Sequence, residues 1–125
     1  MTTVAEYFDA LLLRRQEALR VRFRVIHYRD SSRPQHAHCH ANVDRWVAEH
    51  PRLEAVRGWL VSDYGTTCMF EAHSIARLPR GRLIEITYPV TPRFLPHRGA
   101  AADFDSLKLN HAQQFWPPPQ PLGEY

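Results

Sequence analysis

A chain of 125 residues supports one hydrophobic core and is too short for two ordinary domains. Apolar residues at 44% and charged residues at 23% are globular proportions, which argues against disorder away from the ends, and no apolar run approaches the roughly 18 residues that a bilayer crossing needs. The net charge of +3 is nearly all scattered arginine, with Lys108 the only lysine, and every segment also carries acids; the compact basic stripe of a nucleic-acid binder is missing.

The opening segment MTTVAEYFDALLL carries acids where a secretory signal would be basic, so the expected location is cytoplasmic, with Cys39 and Cys68 as thiols. Val4, Phe8, Leu11, Leu12 and Leu19 recur at helical spacing, with Glu6 and Asp9 early and Arg14, Arg15 and Arg20 late. This predicts an amphipathic helix over residues 4–20. VRFRVIHY then alternates Val21, Phe23 and Val25 against Arg22 and Arg24, a strand pattern, and Asp30 to Pro34 reads as a loop. A second helix is predicted from about Cys39 to Glu49, stopping before Pro51, with Val43, Trp46 and Val47 as its apolar stripe and Cys39 on the edge of that stripe. A helical turn over residues 52–56 is expected to precede Gly58.

Strands follow: GWLVS, TCMFEAHSIARL and RLIEITY. The last two are joined by Pro79-Arg80-Gly81, which fits a three-residue hairpin loop with proline setting φ near −65° and glycine taking the left-handed position. That loop pairs Leu78 with Arg82. It lines up Phe70, Ala72, Ala76 and Leu78 with Ile84, Ile86 and Tyr88 on an apolar face. Met69, Glu71, His73, Ile75, Leu83, Glu85 and Thr87 take the other face, His73 diagonal to Glu85. A short helix is expected around residues 103–109 and an extended polyproline segment at the end. The fold class is α+β: an N-terminal helix and a cysteine-bearing helix packed on a small antiparallel sheet, one domain over residues 1–116 and a proline-rich tail over 117–125.

Three residues in order suggest chemistry. A thiol is a poor nucleophile while protonated, and a helix N-terminus and a neighbouring imidazolium both favour the thiolate, which gives Cys39 and His73 complementary roles. A histidine needs an acceptor to fix its tautomer, and Glu85 lies within reach. The stretch HCHANVDRWVAEHPRLEAVRGWLV followed by FEAHSIARLPRGRLIEITY resembles the core of papain-like and transglutaminase-like thiol enzymes: a cysteine helix, a Gly-aromatic strand, a histidine strand, then a hairpin to an acid followed by threonine. The resemblance covers residues 36–89. It implies nucleophile Cys39, base His73 and orienter Glu85, with thiol-dependent hydrolysis, deamidation or acyl transfer on a peptide or protein amide and no cofactor. Glu stands where that family has Asp or Asn, and no Gly- or Trp-rich sequence flanks Cys39. Gln35 is the expected oxyanion donor beside the Cys39 N–H, at a spacing those enzymes do not use, and His38 or His40 the expected secondary base or substrate contact.

A non-enzymatic reading competes for the same residues. If QHAHCHAN is extended, His36, His38 and His40 point to one side and suit zinc or another transition metal, with Glu71 or His73 as a further ligand. If Cys39 opens a helix, that row breaks. Cys68, Trp46 and Trp59 are expected in the core, and Trp116 either folds back or, with the proline tail, binds a partner. His97 is a further candidate near the site, and Arg77, Arg80 and Arg82 crowd one hairpin end, where they either meet an acidic substrate or face water.

Overall fold

The computed structural model describes residues 2–119. Helix α1 spans Val4–Leu13 and is opened by Thr3, whose hydroxyl accepts from the Glu6 N–H while the Glu6 carboxylate accepts from the Thr3 N–H, a reciprocal cap. It stops well short of residue 20, and a single 3₁₀ turn, Arg15–Glu17, follows. Leu13 already faces water at 85% exposure, so the stripe of Phe8 and Leu11 has no further core to cover. Leu19 is claimed by the sheet, exchanging two 2.7 Å backbone hydrogen bonds with Phe94.

The expected eight-residue strand is reduced to β1, Arg22–Phe23, which pairs in parallel with β4, Leu83–Glu85. The partner is only three residues long, so pairing ends and the alternation ends with it. Val25 faces solvent, whereas Ile26 and Tyr28 tuck beneath helix α2, Cys39–Glu49, against Val43 and Trp46. Helix α2 has the predicted bounds. No helical turn precedes Gly58, because β2, Glu54–Asp63, finds ladder partners along the whole of β3, Cys68–Arg77, with Glu54 opposite Arg77.

The β3–β4 hairpin has the predicted register, Ala76 opposite Ile84 and Arg77 opposite Leu83, with the Leu78 N–H donating to Arg82 O at 2.8 Å and Gly81 at φ +94°. Strand β4 ends at Glu85 rather than continuing to Tyr88, since the N–H groups of Thr87 and Tyr88 turn back onto the Glu85 carboxylate. The first strand β1, then β4, β3, β2 and β5 (Arg93–Pro96) form the sheet in that order, and the Leu19–Phe94 bridge ties its two margins into a curl. The sheet is antiparallel apart from β1. Helix α3, Ala101–His111, exceeds the expected short helix and inserts the buried Phe104 beside Trp59. Strand β6, Gln113–Trp116, had no alternation signal; it pairs with Cys68–Glu71 of β3. Trp116 folds back, donating from Nε1 to Asp9 at 2.8 Å. The extended-tail expectation falls largely on residues outside those described.

Both sheet faces are filled. The outer face carries Trp59, Val61, Cys68, Phe70 and Ala72 beneath Phe8, Leu11 and Phe104, and Ala76 and Ile84 beneath α2. The inside of the curl holds Val56, Leu60, Ile75 and Phe94. On the same face of β3 as Ile75 is His73, opposite Gly58 of β2. A Cβ on Gly58 would stand 2.4 Å from Leu95 O and 2.5 Å from the Phe94 ring, so the missing side chain is the space in which Phe94 lies. None of the described helices is long and apolar enough to cross a membrane.

Gly58→Ala is expected to destabilise the fold by about 1–3 kcal/mol through forced displacement of β5. Urea unfolding checks this; an unchanged midpoint would show that β5 shifts without cost.

Candidate functional site

Strand β3 shares one edge between two partners, β6 over Cys68–Glu71 and β4 over Ala76–Arg77. Between them is a notch, and the N-terminus of α2 sits in it. A cleft of about 530 Å³ opens there, lined by Ala37, Cys39 and His40 from the helix entry, by Glu71, Ala72 and His73 from β3, and by Tyr88, Ala112 and Gln113. Cys39 is the first residue of α2, at the positive end of the helix. The capping residue His38 makes no side-chain cap, and no acid stands in the first turn. The positive end of the helix therefore acts on the sulfur uncompensated.

Asn42, buried one turn on, fixes this entry. It accepts from Gln35 N at 3.1 Å and donates to Gln35 O at 2.7 Å and to Thr87 Oγ1 at 3.1 Å. The loop ahead of Cys39 and the segment after β4 are thus held by one side chain. Ala37 takes φ +64° there, a left-handed conformation costly for a residue with a Cβ.

His73 is 1% exposed and lies between two rings, Tyr88 stacked at 5.8 Å and Phe94 edge-on at 6.2 Å. Its Nε2 bonds Glu85 Oε1, which leaves Nδ1 for the thiol. Glu85, also 1% exposed, accepts through Oε2 from Thr87 N at 2.8 Å and Tyr88 N at 3.1 Å. The diagonal register is what makes glutamate fit: diagonal partners lie roughly 7–8 Å apart between backbones, a span suited to a long side chain.

Burial alone would raise the Cys39 thiol, but hydrogen bonding with His40 and His73 and the charge of His73, with a smaller charge contribution from His40, outweigh it and bring the thiol down to about 6. Burial alone would lower His73, yet its bonds to Cys39 and Glu85 and their negative charge push it up to about 9. Both shifts favour the same ion pair, thiolate with imidazolium. Cys68 is the contrast: 1% exposed and raised by burial and by Asp63, it is a core thiol, as expected.

Of the residues singled out in sequence, Cys39, His73, Glu85 and His40 come together here. Gln35 does not line the cleft; its side chain is exposed and its backbone serves as the anchor for Asn42. His38 is exposed at the cap. His36 packs edge-on to Tyr88 at 4.9 Å, and His40 turns inward onto Ser74, so the helix breaks the three-histidine row. Among the described residues, no group of three or more His, Cys, Asp or Glu side chains is arranged to hold a metal ion. Arg77 pairs with Glu54, while Arg80 and Arg82 are exposed. His97 belongs to a separate cavity of about 600 Å³ between α1 and α3. There Trp59 Nε1 donates to Tyr7 Oη, Tyr7 to His97 Nδ1, and His97 Nε2 to Ala100 O, a chain with every member satisfied and no thiol.

Sequence reasoning missed Tyr88, Ser74, Arg57 and Asn42. The alternation of the last strand predicts Tyr88 on the apolar face, but that alternation stops at Glu85. Ser74 carried a signal, a lone hydroxyl on the strand face otherwise made of Phe70, Ala72, Ala76 and Leu78.

Comparison of the chain with protein-family models, with curated proteins and with solved structures finds no match. The geometry alone carries the functional reading.

Glu85→Gln keeps the shape and removes the charge facing His73. The pH midpoint of Cys39 alkylation by iodoacetamide, followed by mass spectrometry with Cys68 as internal control, is expected to climb by roughly one unit or more toward the ordinary thiol value of about 8.5. A midpoint that does not move would mean that Glu85 contributes nothing to the pair.

Proposed function

We propose that this chain is a thiol-dependent acyl-transfer enzyme acting on amides, a hydrolase, deamidase or transferase, with Cys39 as nucleophile, His73 as proton carrier and Glu85 as the group that orients His73. The observation that carries this reading is geometric: Cys39 at the start of α2 lines one cleft with His73, and buried Glu85 holds the His73 ring; the lowered thiol and the raised histidine agree with it. The order of parts, cysteine helix, histidine strand and acid on the next strand, is that of papain-like and transglutaminase-like cores, and kinship with them is part of the proposal.

The chemistry follows from the donors and acceptors present. The Cys39 thiolate attacks the amide carbon, forming the C–S bond, and the carbonyl π pair moves to oxygen. The Cys39 N–H at the helix terminus is aligned to receive that negative charge. The tetrahedral species collapses with cleavage of the C–N bond, and the imidazolium of His73 gives its proton to the departing amine. Neutral His73 then takes a proton from water or from an acceptor amine as it attacks the thioester, which restores thiolate and imidazolium. Glu85 keeps the ring in plane throughout, because its second oxygen is pinned by two backbone N–H groups.

Beside Cys39, His40 and His73 the cleft is lined by three small residues, Ala37, Ala72 and Ala112, and by Glu71, Tyr88 and Gln113, which offer polar groups. Such a border suits an extended peptide or protein segment better than a bulky rigid ligand.

Activity should therefore be bell-shaped in pH. It rises as the thiolate forms near 6 and falls as His73 loses its proton near 9. The test is a screen of peptide amides and activated esters, with the Cys39 thioester trapped and weighed by mass spectrometry. Cys39→Ala should abolish the adduct, and His73→Ala should slow its formation by about 10²–10⁴-fold. An adduct that forms equally well in His73→Ala, or Cys39 alkylation that is slow at every pH, would refute the proposal.

A further inference from the structure

His40 follows the nucleophile on the same first turn of α2 and lines the same cleft. Its partners define what it can do. His40 Nδ1 lies 2.5 Å from Ser74 Oγ. Ser74, on β3 and 0% exposed, also receives a hydrogen bond from Arg57 Nη1 at 2.9 Å. Arg57, on β2, turns its other nitrogen to both oxygens of Asp44 on α2, at 2.6 and 2.9 Å.

Donor and acceptor accounting then fixes the tautomer. A guanidinium only donates, so Arg57 occupies a lone pair of Ser74 and cannot take the serine proton. The acceptor within reach of the buried Ser74 O–H is His40 Nδ1. With Ser74 donating to Nδ1, the ring proton is on Nε2, on the side away from Ser74. The opposite arrangement, Nδ1–H donating to Ser74, would give the oxygen two donors and leave its own buried proton without an acceptor, which a buried hydroxyl disfavours. The ring itself is seated edge-on against Phe104 at 5.8 Å.

We infer that Ser74 and Arg57 are positioning residues that hold His40 as an Nε2–H donor, and that His40 thereby supplies the side-chain half of the oxyanion site next to the Cys39 backbone N–H. The inference rests on the acyl-transfer reading and divides labour between the two imidazoles: His73 moves the proton, and His40 keeps its own and stabilises charge. Cys39 and His40 line the same cleft, so a donor on the His40 ring stands on the side of the nucleophile. The donor role that the sequence offered to Gln35 passes to a residue on the helix itself.

The experiment compares two reactions of Cys39 in the full chain at about pH 8. Alkylation by iodoacetamide displaces iodide and builds no oxyanion; acylation by p-nitrophenyl acetate passes through one. His40→Ala is expected to slow acylation by about 10²-fold or more and alkylation by less than about tenfold, as loss of an oxyanion donor does. His40→Gln, which retains an N–H donor, should recover most of the acylation. Ser74→Ala should slow acylation by about tenfold while alkylation changes little. ¹⁵N NMR of the His40 ring should report the Nε2–H form in the inactive Cys39→Ser protein as well, a readout that does not depend on turnover.

Equal losses in both reactions, unimpaired acylation in His40→Ala or in Ser74→Ala, or an Nδ1–H ring would each overturn the inference. Failure of His73→Ala to affect either reaction would instead sink the underlying acyl-transfer reading, so the two failures are told apart.

Discussion

A carboxylate removed from water must be given donors, and the arrangement of this protein follows from how Glu85 receives its own. Two backbone N–H groups just past the end of β4 and the imidazole of His73 surround it. To supply those N–H groups the chain leaves the sheet at Glu85, and by leaving it opens the notch on β3 into which the first turn of α2 fits. The same departure carries Tyr88 over the face of His73. Burying one acid thus ends a strand, positions an aromatic lid and makes room for a thiol. Removing a partner from such a buried set costs more than the set itself contributes, because what remains is a charge or donor without a counterpart.

The parts of the site that were legible in sequence are those set by local rules. Pro79-Arg80-Gly81 dictates its turn, and the turn dictates the diagonal between His73 and Glu85 with no help from the rest of the molecule. Cys39 opening a helix was legible from the stripe of Val43 and Trp46 and the stop at Pro51. The α+β class followed from helical spacing in one half and alternation in the other. What could not be read depends on contacts between distant segments. Leu19 leaves the predicted helix because Phe94 offers it a ladder partner, a fact residing in neither segment alone. Strand β6 has no alternation signal of its own and exists because β3 has an edge to cover. Arg57 and Ser74 read as an ordinary strand arginine and a small polar residue, and they matter only because β2 and β3 align them beneath α2.

Helix α2 is bound to the sheet by a closed ring of polar contacts, from Asp44 through Arg57 and Ser74 to His40. Its hydrophobic contacts, Val43 and Trp46 on Ala76 and Ile84, hold the helix down but would tolerate a slide along its axis. The polar ring would not, since each member has directional partners. Apolar packing supplies adhesion and the polar ring supplies registry, the distinction that matters where the Cys39 thiol has to keep its place beside His73.

The bridge between Leu19 and Phe94 also bears on how the site comes into being. Helix α2, β3 and the hairpin to β4 are near neighbours along the chain and can meet early, whereas closing the curl requires segments from opposite ends to find each other, the slower kind of event. Until that closure, Cys39 and His73 can already be adjacent, but the inner face of β3 is wet and the attraction between them is screened. The charge pairing that favours a thiolate at Cys39 is therefore completed late in folding. A nascent or partly unfolded chain carries the same residues in nearly the same order of contact, with the thiol still near its ordinary acidity.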